Sequence, residues 1–348
     1  MGGNALKQFG STRLPTAEAL LIGDRIKALI DETAFNAGRC VRCEVIPSYR
    51  QKPDYGDIDL LIAGPLPGQW TRELAKTLNP RVSDADLPII RNGNVVSIGV
   101  PIRANSVFQV DLILVPLDEF DFSLAYFSWN DVANLAGRVA YKMGLKLGDN
   151  GLWLPFRDGD RLFRSLLLSH DFGRAIEFLG FNPARWRAGF DTLEDIYRFI
   201  AESRYFDPAI YLLENRNHRS RVRDAKRPTY TGFLQWLQQH PPVSAFNAWP
   251  AHKTDWLPRI FERFPGTETA WRQADRDVVK AKMIRNKFNG DMIGQATGLS
   301  GKALGALMSR IRHAFADNEQ FETYVLEATE NDVAELARQM QGANKPAS

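Results

Sequence analysis

Apolar positions recur along the chain with two periods, and the change from one to the other divides it. Ile22, Ile26, Leu29 and Ile30 fall at helical spacing over residues 17–30, and Pro15-Thr16 just ahead can open that helix. Residues 42–50, 57–62, 95–100 and 107–115 read instead as strands, the last stopped by Pro116, and a helix fits 70–78 between the second and third. The RQKPDYG stretch ahead of Asp57 is a turn on composition, punctuated by Pro53 and Gly56. Beyond Gly151 the strand signal fades and helical spacing takes over, at 172–179, 192–203, 232–238, 268–287, 301–316 and 318–341. The pattern predicts an α+β fold: a mixed sheet with helices, followed by a mainly α-helical C-terminal half. It suggests an α+β domain over 1–160, a helical domain over 161–245 and a C-terminal helical domain over 246–348, with PPVSAFNAWPAH (241–252) as a connector.

The polar exceptions inside the strands carry the chemistry. Alternate strand residues share a face, so Asp57 and Asp59 project together while Ile58 and Leu60 face the core. In VFQVDLILVP, Asp111 stands alone within an apolar strand, where an unpaired charge is costly. If the two strands are neighbours, three carboxylates converge. Such a cluster repels itself and becomes tolerable at neutral pH when it binds divalent cations. All-oxygen donors favour Mg²⁺ or Mn²⁺ over zinc. Two such ions, about 3.5–4 Å apart, can activate an attacking hydroxyl and stabilise a leaving oxygen. The other reading has Asp57 and Asp59 solvated at a strand end and Asp111 paired with an arginine.

Ser48-Tyr49-Arg50, Gly56-Asp57-Ile58-Asp59-Leu60-Leu61 and Val110-Asp111-Leu112 together resemble the nucleotidyltransferase superfamily of DNA polymerase beta, and within it the family X polymerases. That pattern runs Gly-Ser-x-Arg, a short turn, Gly-Asp-x-Asp, then a third Asp on a separate strand. AYFSWNDVANLAGRVAYKMGLKLGDNGLWL (125–154) is similar to the family's segment that contacts the incoming nucleotide. The likeness spans residues 20–155 and trails toward 200 through FLGFNPARW. It implies a polymerase beta-like palm with two Mg²⁺ ions, or Mn²⁺, held by Asp57 and Asp59, with Asp111 binding one of them and helping to deprotonate a 3′-hydroxyl. It implies that Ser48 and Arg50 hold the triphosphate beside Gly56, that Tyr126 and Phe127 line the sugar pocket, that Asn134 reaches the base edge and that Arg138 sits near the templating side. The implied reaction moves a nucleoside monophosphate from an NTP or dNTP to a nucleic-acid 3′-hydroxyl and releases pyrophosphate. Addition to a tRNA or other RNA 3′ end, and nucleotidylation of a small molecule or protein, stay open. Three departures stand out: Pro47 replaces the glycine before Ser48, the turn to Gly56 is one residue shorter, and Ser128-Trp129 follows the Tyr-Phe pair.

Composition adds little: 44% hydrophobic and 24% charged residues among 348 describe an ordinary globular chain. A net charge of +3 leaves the distribution of charge to decide about nucleic acid. RNHRSRVRDAKR (216–227) holds six Lys or Arg against one Asp, and Arg221, Arg223, Lys226 and Arg227 are candidates for phosphate-backbone contact. Arg272, Arg276, Lys280, Lys282, Arg285 and Lys287 lie along one helix, with only part of the set on one face. KFNGDMIGQATGLSGKALGALMSRIRHAF (287–315) reads as helix, Gly-Leu-Ser-Gly-Lys turn, helix. It lacks the glycine spacing of a Walker A loop. It is weakly similar to the C-terminal region of CCA-adding and poly(A)-adding enzymes, but reads first as a tight helix-turn-helix corner. Cys40 and Cys43 are the two cysteines and lack further ligands for a zinc site, so they read as reduced thiols. His170-Asp171 reads as a helix cap. No apolar run reaches the roughly 18 residues of a membrane span, and the expected compartment is the cytoplasm.

Overall fold

The computed structural model describes residues 5–103, 106–158, 161–242 and 245–342. Within them the N-terminal elements run β1 (Leu14–Pro15), α1 (Thr16–Asn36), β2 (Arg42–Val45), β3 (Asp54–Tyr55), β4 (Asp57–Ala63), α2 (Trp70–Leu78), β5 (Ile89–Asn92), β6 (Val95–Arg103), β7 (Ser106–Val115), α3 (Phe120–Phe127) and α4 (Val132–Lys142). Five of the strands form a sheet in the order β2-β4-β7-β6-β5. Its central pair, β4 and β7, is parallel, while β2 against β4 and β6 against β7 are antiparallel, so the sheet is mixed.

Both faces of this sheet are used, and they differ. Ile58, Leu60 and Ile62 of β4, with Val110 and Leu112 of β7, meet Ile26 and Ile30 of α1 and Leu74 and Leu78 of α2 in the main core. Contact with α1 is close: a Cβ added at Gly23 would stand 2.7 Å from Ile58 Cδ1 and 3.2 Å from Val45 Cγ2. On the other face, Leu61, Ala63 and Ile113 pack against Ile46 and Phe120, with Leu124 and Phe127 alongside. Strand alternation puts Asp57, Asp59 and Asp111 on that second face.

The strand signal does not fade at Gly151. β8 (Lys146–Gly148), β9 (Gly151–Asp158) and β10 (Arg161–Ser169) make a three-stranded sheet in the order β10-β9-β8. Pro155 interrupts the apolar alternation of β9, yet it lies beyond Trp153, the last residue paired to β8, where no ladder N–H is needed on that side. The helices that follow are α5 (Phe172–Phe178), α6 (Pro183–Ala188), α7 (Leu193–Ala201), α8 (His218–Asp224), α9 (Pro228–Gln239), α10 (Leu257–Arg263), α11 (Thr267–Lys287), α12 (Gly290–Thr297), α13 (Gly301–His313), α14 (Asn318–Glu327) and α15 (Glu330–Gly342). The single helix expected over 318–341 is therefore two. Ala328 is extended, and Thr329 and Asp332 exchange cap bonds, with Thr329 N donating to Asp332 Oδ2 at 2.9 Å and Asp332 N to Thr329 Oγ1 at 3.2 Å.

The chain gathers into two compact units, residues 1–155 with 167–265 and residues 156–166 with 266–348. The boundary expected at 160/161 touches residue 160, outside the described residues, and the one at 245/246 lies within the span of the first unit. The second unit has its own apolar centre, with Phe288, Ile293, Leu307, Ile311, Phe321 and Val333 among its members. No helix of the described residues is long and apolar enough to cross a membrane.

Candidate active site

Strand register assembles the acids. The parallel pairing of β4 with β7 sets Asp59 opposite Asp111, and Asp57 lies two residues before Asp59 on the same face. One carboxylate oxygen from each lies within 4.8 Å of the others, and all three side chains are half-buried. Among the described residues this is the one cluster of three or more His, Cys, Asp or Glu side chains able to meet at an ion.

Neighbours orient the cluster. Buried Gln109, also on this face, donates through Nε2 to both oxygens of Asp111 at 3.0 Å, while its Oε1 accepts the Leu6 N–H at 3.1 Å. Ser97, opposite Asp111 on β6, gives a further hydrogen bond to it. Burial nevertheless raises the Asp111 pKa, with Asp57 adding to the effect against these two donors. Asp59 is pushed up to about 8 by burial, then by Asp57 and Asp111, with Lys52 opposing. The Lys52 ammonium lies 3.9 Å over the Tyr55 ring. Burial lowers its pKa, against the pull of Asp57 and Asp59. Thr16 donates its hydroxyl to the Lys52 carbonyl. The sequence reading missed Gln109, Ser97 and Lys52. Gln109 had a usable signal, since a polar residue two positions before Asp111 must share its face; Lys52 sits in a turn and had none.

Ser48 donates its hydroxyl to Asn130 Oδ1. Arg50 is drawn toward the 188–191 segment: Nη1 meets Asp191 at 2.7 Å, Nη2 donates to the Ala188 carbonyl, and its backbone N–H donates to Phe190 O at 3.0 Å. Gly56 is buried between β3 and β4. Tyr126 and Phe127 end α3 with their rings edge to face at 5.3 Å, Phe127 packing on the apolar part of the second sheet face. Asn134 and Arg138 are one turn apart on α4. Arg138 is only 9% exposed and donates through Nε to Ile210 O at 3.2 Å. Burial lowers its pKa first, then neighbouring Arg216, while Tyr230, Tyr211 and Asp224 act the other way. Arg216 in turn meets Asp224 at 2.5 Å, both side chains buried.

In the basic segment, Arg223 meets Asp224 at 3.0 Å and Arg227 meets Asp131 at 2.7 Å; Arg221 and Lys226 are exposed. Cys40 is exposed and Cys43 buried, burial pushing the Cys43 thiol up to about 12, so that thiol is inert near neutral pH. Asp171 caps α5, accepting the Arg174 N–H at 2.9 Å.

No family model matches the chain, and no curated protein matches it in sequence. Among solved structures it is similar to polymerase beta of Leishmania infantum in a ternary P/T complex, at 16% identity and a TM-score of 0.32, over 44% of this chain and 63% of that one. It is similar to the same protein's ternary gap complex at 18% identity and a TM-score of 0.33, over 44% of this chain and 55% of that one. The chain thus spans less than two thirds of either structure. An overlap this partial carries no weight for chemistry, which rests on the residues of the site.

Proposed function

We propose that the chain is a divalent-metal-dependent nucleotidyltransferase that transfers a nucleoside monophosphate from an NTP or dNTP to a nucleic-acid 3′-hydroxyl. The observation that carries this reading is the in-register convergence of Asp57, Asp59 and Asp111 on adjacent parallel strands. Its donor chemistry fits Mg²⁺ or Mn²⁺: the donors are all oxygens, and burial together with the repulsion of Asp57 and Asp111 holds Asp59 up to about 8. Asp57 and Asp59 would hold both ions and Asp111 one. Bound there, the ions would supply charge neutralisation and Lewis acidity for in-line phosphoryl transfer. The 3′-oxygen forms a bond to the α-phosphorus as the bond from that phosphorus to the pyrophosphate oxygen breaks. Asp111, kept in position by Gln109 and Ser97, takes up the hydroxyl proton. Ser48, Tyr126, Phe127 and Asn134 are assigned to the nucleotide through the sequence resemblance alone. Arg50 and Arg138 carry the same assignment, although both are engaged within the protein.

The test offers labelled NTPs and dNTPs, with Mg²⁺ or Mn²⁺, to primed DNA, single-stranded DNA and tRNA, and reads which 3′ end is extended. The reading fails if a purified Asp57→Ala/Asp59→Ala chain still incorporates label. A second reading, nucleotidylation of a small molecule or protein, is favoured by the ion pairs that occupy Arg223 and Arg227. Arg221→Glu/Lys226→Glu separates the two. Incorporation into nucleic acid should fall, and fall more steeply with added salt, under the first reading; under the second, label transfer to the small-molecule or protein acceptor stays unchanged.

A further inference from the structure

We infer that the second unit carries a surface for double-helical DNA, the outer face of α13 in a helix-turn-helix made by α12, residues 298–300 and α13. The inference does not depend on the proposed reaction, since its residues belong to a different compact unit from the acids. α12 stops where Gly298 adopts φ 74, returning its N–H to Gly294 O at 2.8 Å, and α13 starts at Gly301 after a three-residue turn. A three- to four-residue turn containing glycine between two packed helices is the construction that presents a second helix to the DNA major groove. The corner is tight. A Cβ on Gly294 would come within 3.1 Å of the Leu299 carbonyl and 3.5 Å of Leu304 Cδ2.

α13 has a strongly divided surface. Leu304, Leu307, Met308 and Ile311 turn inward to the core of the unit. Lys302, Ala306, Ser309 and His313, spaced i, i+4, i+7 and i+11, form one exposed stripe opposite, with Ala303 and Arg310 along one edge and Gly305 and Arg312 along the other. From Met292 to Ala316 the sequence has no Asp or Glu. The cations of α11 are mostly spent inside the unit: Arg272 meets Glu268 and Lys280 meets Glu322, each at 2.7 Å, and Lys287 donates to Leu326 O and Ala328 O. Lys302 and Arg310 have no ion-pair partner among the described residues.

That combination selects the partner. Lys302 on the stripe and Arg310 at its edge can meet phosphates along a groove, and the small residues between them let the helix approach closely. Along the same line His313, whose Nδ1 meets the Ser309 carbonyl at 2.7 Å, still has its Nε2 as a hydrogen-bonding group. The major groove of B-form DNA admits an α-helix, whereas that of A-form RNA is too narrow, so duplex DNA is the partner.

The experiment uses the full chain carrying Arg221→Ala and Lys226→Ala, so that the basic segment of the first unit contributes less. Fluorescence anisotropy with a labelled DNA duplex, and with an RNA duplex of the same sequence, is followed across salt. Ala306→Glu, an exposed site that suits a helix former, should weaken DNA binding by roughly tenfold or more by setting a carboxylate against phosphate. Lys302→Gln/Arg310→Gln should lower the slope of log affinity against log salt by about 2, close to one per phosphate contact removed. Circular dichroism and Tm should match the parent in both. Parental DNA affinity in either well-folded variant, or equal affinity for the RNA duplex, overturns the inference.

Discussion

Asp59 is raised first by burial and then by the charges of Asp57 and Asp111, and that fixes the sign of its pH behaviour. In the unfolded chain it titrates near 4, and in the metal-free fold at about 8, so between these values the folded state binds more protons. Its contribution to stability is complete below about pH 4, is lost progressively as pH rises, and is gone above about pH 8. Added Mg²⁺ should reverse that loss: the rise in Tm it produces should be larger at pH 8.5 than at pH 6 in a scanning-calorimetry series, and Asp59→Asn should flatten both trends. If activity depends on the cluster, Asp57→Asn or Asp111→Asn should lower incorporation by about 10³-fold, about 4 kcal/mol of lost charge stabilisation, with the fold intact. Steady-state incorporation rates measure this. Away from the acids, Arg216 and Asp224 form a buried pair, so Asp224→Ala should destabilise by about 3–5 kcal/mol in urea unfolding.

Elements matter here through their register and their distance from one another. A one-residue slip of β4 against β7 would turn Asp57 and Asp59 into the main core and Ile58 outward, so the apolar set Ile58, Leu60, Ile62 locks the carboxylates in place as surely as it locks the strand. The approach of α1 to β4 is set by the missing side chain at Gly23. Gly23→Ala drives a methyl into Ile58 and should lower stability by about 1–3 kcal/mol, a loss that overpacking outweighs any gain in helix propensity; Ile58→Val in the same chain should recover part of it, as denaturant midpoints would report. At the far end of the chain, Thr329→Ala removes one half of the α15 cap and should destabilise the second unit by about 1 kcal/mol.

At the scale of the whole molecule, the two units have separate apolar centres, and the acids lie in only one of them. Each can then respond to its own ligand. Calorimetry of the full chain should resolve two transitions, of which Mg²⁺ raises only one; Asp59→Asn should abolish that rise without moving the other transition. A duplex that binds α13 should stabilise the transition that Mg²⁺ leaves alone.

Much of this was legible from side-chain pattern. The period-2 alternation across residues 57–62 and 107–115 made β4 and β7 readable, and it put Asp57 and Asp59 on one face, because alternation is a local property of an extended backbone. The helix at 70–78 matched α2 residue for residue for the same reason. What lies beyond nearest neighbours could not be read. Pro155 hid β9, whose pairing to β8 ends before it, and the cap at Thr329 split a stretch whose apolar spacing continued. By itself the sequence determined which strands bear acids, because that follows from residue spacing. Tertiary structure alone decided that Asp111 stands opposite Asp59, that Gln109 grips it and that Arg50 and Arg138 are engaged elsewhere, because strand order and long-range packing depend on contacts between segments distant along the chain.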